Sequence, residues 1–348
     1  MNLFSKDTTP HLVYQGGKDI EGLQLLKFIC AVLVVQIHVY SFAQSFLLPL
    51  CRIAVPIFFM VTGYFLPNSK SGVITYPKLR KSFWKVFKIT VWAQVIWILF
   101  LAFCSFRRID TFVERYGTID NLIRFILYGD IFGFMLWYLN TLLQTLLLVM
   151  IFVKLGIQKY LWLTIPIGLI LNLVLGTYSF AYHDGPFTGY IHRNVITIGL
   201  PCVALGLYIR KYEYLLPKLK TLGFGVILCL ILLTIESLLL SYSGSYHGKE
   251  GDIIIVTIPL AIFVFCFFLK VRIPNSLHWM VRFGKRYSLN IYIFHKMVEI
   301  IMIAAIGTSL YLIAGFIVAF MTILLSMGLF EIKQRKILPE WCTKILLP

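Results

Sequence analysis

Residues Leu23 to Phe46, LQLLKFICAVLVVQIHVYSFAQSF, form an apolar run long enough to cross a bilayer, yet Lys27 and His38 lie inside it. An ionisable group within a spanning helix loses hydration that lipid cannot replace, so it turns toward the protein interior, a partner or a water-filled path. The two residues are eleven positions apart, about 16 Å of rise and about three turns, and therefore share one helix face. That face is expected to line a reaction site around which the remaining helices close.

Working outward, the composition makes this run one of many. The chain has 348 residues, 59% of them hydrophobic and 14% charged, with a mean hydropathy of +0.85. So much apolar surface exceeds what one soluble core can hide, which indicates a polytopic membrane protein. The net charge of +17 would suggest nucleic acid in a soluble domain. Here the charges sit in loops that alternate between rich and poor in Lys and Arg, the positive-inside pattern, so nucleic acid is not an expected partner. Seven cysteines include no CxxC pair, and Cys30, Cys202, Cys229 and Cys266 lie within apolar segments, so they read as small buried hydrophobes and no metal site is expected. The first apolar run is too long for a signal peptide and is expected to remain as the first span.

Ten apolar runs follow one another: 23–40, 48–66, 86–104, 132–153, 162–178, 194–209, 222–240, 253–269, 289–306 and 310–330. The expected fold is an all-α, polytopic transmembrane bundle of about ten spans. Lys78, Arg80, Lys81, Lys85 and Lys88 follow the second run; Lys154 and Lys159 the fourth; Arg210, Lys211, Lys218 and Lys220 the sixth; Arg272, Arg282, Lys285 and Arg286 the eighth. Placing these loops in the cytoplasm puts both termini there too. Residues 1–22 then read as a cytoplasmic N-terminal segment, 23–332 as the transmembrane domain and 333–348 as a basic cytoplasmic tail, with no appended soluble domain expected. On the opposite side, Thr118 to Tyr128 is expected to form a short interfacial helix, with Leu122, Phe125 and Ile126 on lipid. The loops 179–192 and 241–252 read either as sugar contacts or as ordinary solvated connectors.

This orientation gives the intramembrane polar residues a common depth near the outer side: His38, Arg52, Trp137, Tyr138, Asn140, Arg193, Glu236, Asp252, His295 and Glu299. Singly, each has a plain structural explanation. Arg193 can snorkel to headgroups, Trp137 and Tyr138 can belong to an aromatic belt, and Glu236 can neutralise an arginine. Together they describe a site. A neutral imidazole can take a proton from a hydroxyl or attack an activated acyl group, and Arg52 and Arg193 can stabilise the oxyanion that forms. Lys27, nearer the cytoplasm, can meet an arriving phosphate or other anion.

At this point the chain resembles the acyltransferase-3 membrane proteins, which acylate extracytoplasmic glycans and related acceptors. RIAVPIFFMVTGYFL, Arg52 to Leu66, is similar to that family's Arg-x-x-Val-Pro-x-Phe-Phe-x-x-Ser-Gly-Tyr-Phe run. The first span resembles its Arg, ten residues, His pattern, with His38 in the histidine place. LWYL at 136–139, RNVITIGLPCVALGLYI from Arg193, the isolated Glu236 and YSLNIYIFH ending at His295 resemble later blocks in the family's order. The likeness runs from about Ile20 to Ile332. Lys27 stands where the family usually has Arg, Thr62 replaces the usual Ser, and Met135 occupies a place where some members have His.

The resemblance implies a ten-helix bundle, acetyl-CoA or another acyl-CoA as co-substrate rather than bound cofactor, and His38 as leading catalytic residue. The expected reading is thus an O-acyltransferase of the cytoplasmic membrane that moves an acetyl group to a sugar hydroxyl of an exported or cell-surface polysaccharide. His38 acts as general base or transient acyl carrier, and Arg52 and Arg193 stabilise developing charge. Lys27, Trp137, Tyr138, Glu236 and His295 complete the substrate-binding set. Besides the lipid bilayer, envelope-biosynthesis proteins are candidate partners. The rival readings are a transporter or flippase for a glycan or small amphiphile, and a membrane sensor that has lost turnover; the two related halves often seen in transporters are not evident.

Overall fold

A computed structural model describes residues 20–39, 44–68, 73–105, 114, 116–183, 187, 189–242, 253–307 and 313–335. Asp252, nearly all of the loop 241–252, the segment before residue 20 and the tail beyond 335 lie outside them. Among the described residues all regular secondary structure is helical. Nine helices among the described residues are long and apolar enough to cross a membrane, or ten when a bent pair counts as one span, so the chain is a polytopic helical bundle.

Helix α1 (Glu21–His38) runs through the middle. The second span is split into α2 (Gln44–Cys51) and α3 (Ala54–Phe65), with Arg52 and Ile53 in the turn between them. The cause is local. Pro56 has no N–H to offer the carbonyl of Arg52 four residues back, and its ring crowds that carbonyl. A long helix, α4 (Tyr76–Cys104), follows and takes in the lysine-rich stretch that hydropathy alone assigns to a loop. Lys78 explains part of this: its Nζ donates to the Phe65 carbonyl at 2.7 Å and to that of Pro67, satisfying the end of α3.

The interfacial helix forms as α5 (Ile119–Tyr128), with the Thr118 hydroxyl accepting from the N–H of Asn121. Its last carbonyls are taken by amides from neighbouring spans. Asn140 donates to Leu127 at 2.8 Å, and Gln94 donates to Gly129 at 2.7 Å. Ile119, Leu122, Ile123 and Ile126 remain exposed, an unpaired apolar face suited to lipid.

Helices α6 (Trp137–Lys154) and α7 (Thr164–Leu175) lead to a second interrupted span. It consists of a single turn, α8 (Gly189–His192), a π-helical stretch Val195–Gly199 and α9 (Leu200–Lys211). Arg193 and Asn194 occupy the break. Asn194 caps the restart by accepting from the N–H groups of Ile196 and Thr197, and Pro201 withholds a donor from the Thr197 carbonyl, in keeping with the widened π turn. The two broken spans touch backbone to backbone. A Cβ on Gly63 would fall 2.0 Å from the Val203 carbonyl oxygen, and one on Gly206 would fall 2.0 Å from that of Met60. Tyr64 donates to Glu213 at 2.8 Å, and Glu213 is also ion-paired with Arg210, which ties the C-terminal ends of α3 and α9.

Helix α10 (Leu219–Tyr242) precedes α11 (Thr257–Lys270), which bends by 118° into Asn275–Arg286. Within this second limb, α12 (His278–Arg286) lies on the first half of α1, where Phe28 meets Trp279 and Phe283 edge to face. Helices α13 (Ser288–Ile306) and α14 (Ala314–Gln334) close the bundle.

Candidate active site

Three elements converge at the end of α1. The His38 ring lies nearly parallel to that of His295 on α13, with centroids 5.4 Å apart and planes 20° apart. Phe134 meets His38 edge to face at 4.8 Å. Arg52, Arg193 and Lys296 are close enough to act electrostatically on the imidazole. Both arginines come from the breaks in their spans: Arg52 from the turn before Pro56, and Arg193 from the turn that Asn194 caps.

His295 is fully buried and its ring orientation is fixed from its own helix. Nδ1 lies 2.8 Å from the Tyr292 carbonyl and 3.1 Å from that of Ile291. Carbonyls only accept, so Nδ1 carries the proton and, in the neutral ring, Nε2 presents its lone pair. That nitrogen finds no hydrogen-bond partner among the described residues. The site therefore holds a second imidazole with an open acceptor beside His38. Around it, Tyr292 donates to the Met135 carbonyl, and Trp97 Nε1 donates to the Ile293 carbonyl at 3.2 Å, so α13 is held by polar bonds on two sides.

Phe134 also lines a cavity of about 340 Å³, with Arg124, Tyr128, Asp130, Trp137, Gly189, Tyr190 and Arg193. This volume is at the lower end of the ~300–1,000 Å³ typical of small-molecule clefts. Aromatic faces and a bidentate pair between Arg124 and Asp130, at 2.8 and 3.1 Å, give it a mixed apolar and polar lining. At the opposite end of α3 and α9 lies a second cavity of about 260 Å³, lined in part by Gln158, Lys159, Tyr208 and Lys211.

The structure thus gathers His38, Arg52, Arg193 and His295, with Trp137 in the adjoining cavity. Others fall elsewhere. Tyr138 is only 9% exposed; it packs against Phe59 and Tyr292 and hydrogen-bonds with the Thr62 side chain, so it belongs to the core beneath the site. Lys27 lies about 16 Å down α1 and donates to Gln24 at 3.0 Å. Glu236 is engaged by other partners: its carboxylate accepts from the N–H groups of Ile255 at 2.8 Å and Val256 at 3.0 Å, and from the Tyr178 hydroxyl. The two N–H groups are donors that the start of α11 leaves without helical partners, and a carboxylate also suits the positive end of the helix. Glu236→Gln is accordingly expected to destabilise the protein by about 1–3 kcal/mol while transfer at the permissive temperature persists. Thermal unfolding in detergent beside a transfer assay checks this; full stability with lost transfer would return Glu236 to the substrate set.

Lys296 and Phe134, outside the set that the sequence singles out, also lie against His38. Lys296 had a visible signal, a lysine inside an apolar span three residues before Glu299, the spacing of a helical ion pair. Among the described residues no group of His, Cys, Asp and Glu is arranged to hold a metal ion.

A model of the acyltransferase domain of the acyltransferase-3 family matches residues 20–331. The chain belongs to that family. Relatives among characterised proteins include the serine/alanine racemase of Enterococcus gallinarum, 26% identical over 299 residues, which are 79% of this chain and 40% of that protein. The amino-acid racemase of Enterococcus faecalis is 23% identical over 306 residues, 80% of this chain and 41% of that one. The chain thus spans about two fifths of the length of these curated relatives. No solved structure matches it. Family membership makes this a multi-pass membrane protein of the acyltransferase type.

Proposed function

We propose that the protein transfers an acetyl group from acetyl-CoA, reaching the bundle from the cytoplasm, to a sugar hydroxyl of an exported or cell-surface polysaccharide. The observation that carries this reading is the His38–His295 pair beside an aromatic and polar cavity, with two arginines acting on it. The acceptor hydroxyl sits in the cavity beside Trp137. His38 accepts its proton as the oxygen attacks the thioester carbonyl, and Arg52 and Arg193 stabilise the oxyanion. Collapse of that intermediate forms the ester and expels the CoA thiolate, which takes up a proton. Lys27 meets the phosphates of the donor on its path along α1, as a point charge rather than a fork. Residues 23–332 act as one catalytic unit, in the cytoplasmic membrane with both termini inside.

Membranes supplied with acetyl-CoA labelled in the acetyl group test the proposal by the label recovered in envelope glycan. Label that depends on His38 supports it; none from acetyl-CoA or longer acyl-CoAs, with acceptor present and protein inserted, would overturn it.

A second reading has its own observation, the racemase names of the two Enterococcus relatives. On that reading the cavity takes an amino acid as cargo, its carboxylate toward Arg193, and the chain moves it without chemistry. Uptake of labelled serine or alanine by vesicles free of acyl-CoA would favour it.

A further inference from the structure

The ion pair between Lys296 and Glu299 lies inside an apolar helix with side chains only 22% and 7% exposed. Withdrawing two charges this far from water costs about as much as their attraction returns, so general stabilisation is a poor explanation for the pair. Its neighbours give a better one. Lys296 Nζ donates to the carbonyl oxygen of His38 at 3.0 Å. His38 is the last residue of α1, where carbonyls have lost their helical donors and the helix end favours a cation. The same ammonium lies 5.9 Å from the centroid of Phe134, the ring that abuts the His38 imidazole. Meanwhile the preceding residue, His295, stacks on that imidazole. Two consecutive residues of α13 therefore grip His38, one by its backbone and one by its ring.

We propose that Lys296, held in place by Glu299, is a positioning residue for His38 that fixes the end of α1 and with it the imidazole between His295 and Phe134. This rests on the acyl-transfer reading for its catalytic consequence but not for its geometry. Lys296 does not take part in the chemistry, because its ammonium is already bound to Glu299 and to the His38 carbonyl.

The full chain in membranes, carrying Lys296→Met, Lys296→Arg or Glu299→Gln, tests this by two readouts. One is acyl transfer resolved into kcat and KM for acetyl-CoA. The other is the rate at which diethyl pyrocarbonate modifies His38, mapped by mass spectrometry. Lys296→Met is expected to lower kcat about 10- to 100-fold with KM changed less than about twofold, the scale on which a misplaced group costs rate. Lys296→Arg, which keeps a donor, restores most of the loss; Glu299→Gln falls between; and His38 is modified faster in Lys296→Met as the end of α1 loosens. A Met variant with wild-type kcat, a loss confined to KM, no recovery with Arg, or unchanged His38 modification would overturn the proposal. Should Lys296→Met fail to insert, Lys296→Arg and Glu299→Gln decide it by the same measures. If the wild type transfers no acyl group from any donor, the functional reading fails and the modification rates alone decide the role of Lys296.

Discussion

Replacing His38 by Ala is expected to reduce acyl transfer about 10²- to 10⁴-fold, the range that a positioned general base contributes. The imidazole lies between His295 and Phe134, a ring that lines the cavity, with Arg52 and Arg193 acting on it, so it is the candidate to take a proton from a bound hydroxyl. His295 sharpens the test. Its Nδ1 is tied to backbone carbonyls and its Nε2 faces no partner among the described residues. If the two rings act as one unit, His295→Ala alone costs much of the rate, and the double variant is scarcely slower than His38→Ala, because groups that act together are not additive. Transfer rates at matched membrane content settle both points. A His38→Ala variant that retains wild-type turnover would remove the histidine from the chemistry.

Much of this site is legible in the sequence because the forces that create it are local. His38 and Arg52 are visible as charges or titratable groups in apolar runs, and Pro56, four residues past Arg52, already marks where the second span breaks. Residues whose roles depend on distant partners are not legible. Glu236 has the character of a site residue until the fold brings Ile255, Val256 and Tyr178 to its carboxylate. Tyr138 has the character of an interfacial aromatic until Phe59 and Tyr292 enclose it. The stretch His278–Arg286 is a basic loop by hydropathy, since only one of its faces is apolar, and the Phe28 ring that receives Trp279 and Phe283 lies some 250 residues earlier in the chain. Lysines also misdirect: those of 78–88 mark the side of the membrane as much as a loop, and the helix continues through them.

The largest structural effect is expected at the contact between α3 and α9. Gly63 and Gly206 are reciprocal, each allowing the carbonyl of the opposite helix to approach where a Cβ would come within 2.0 Å of oxygen. Backbone cannot yield as a flexible side chain can, so the helices must separate, and close approach through small residues is a main source of helix association in lipid. Gly206→Leu is expected to cost at least about 3 kcal/mol, the upper part of the range for overpacking a filled interior, and to lower the yield of monodisperse protein from detergent. The consequence reaches the chemistry. The helices parted at this contact are those whose interrupted ends deliver Arg52 and Arg193, so the protein that survives should also transfer more slowly. Gly328→Leu on α14 is the matched control, because nothing lies within 4 Å of where its Cβ would be. Thermal unfolding and transfer rates of the two variants, side by side, decide the matter. Equal stability would mean that α3 and α9 are not held by this contact, and a destabilised Gly206→Leu with undiminished turnover would mean that the arginines keep their places without it.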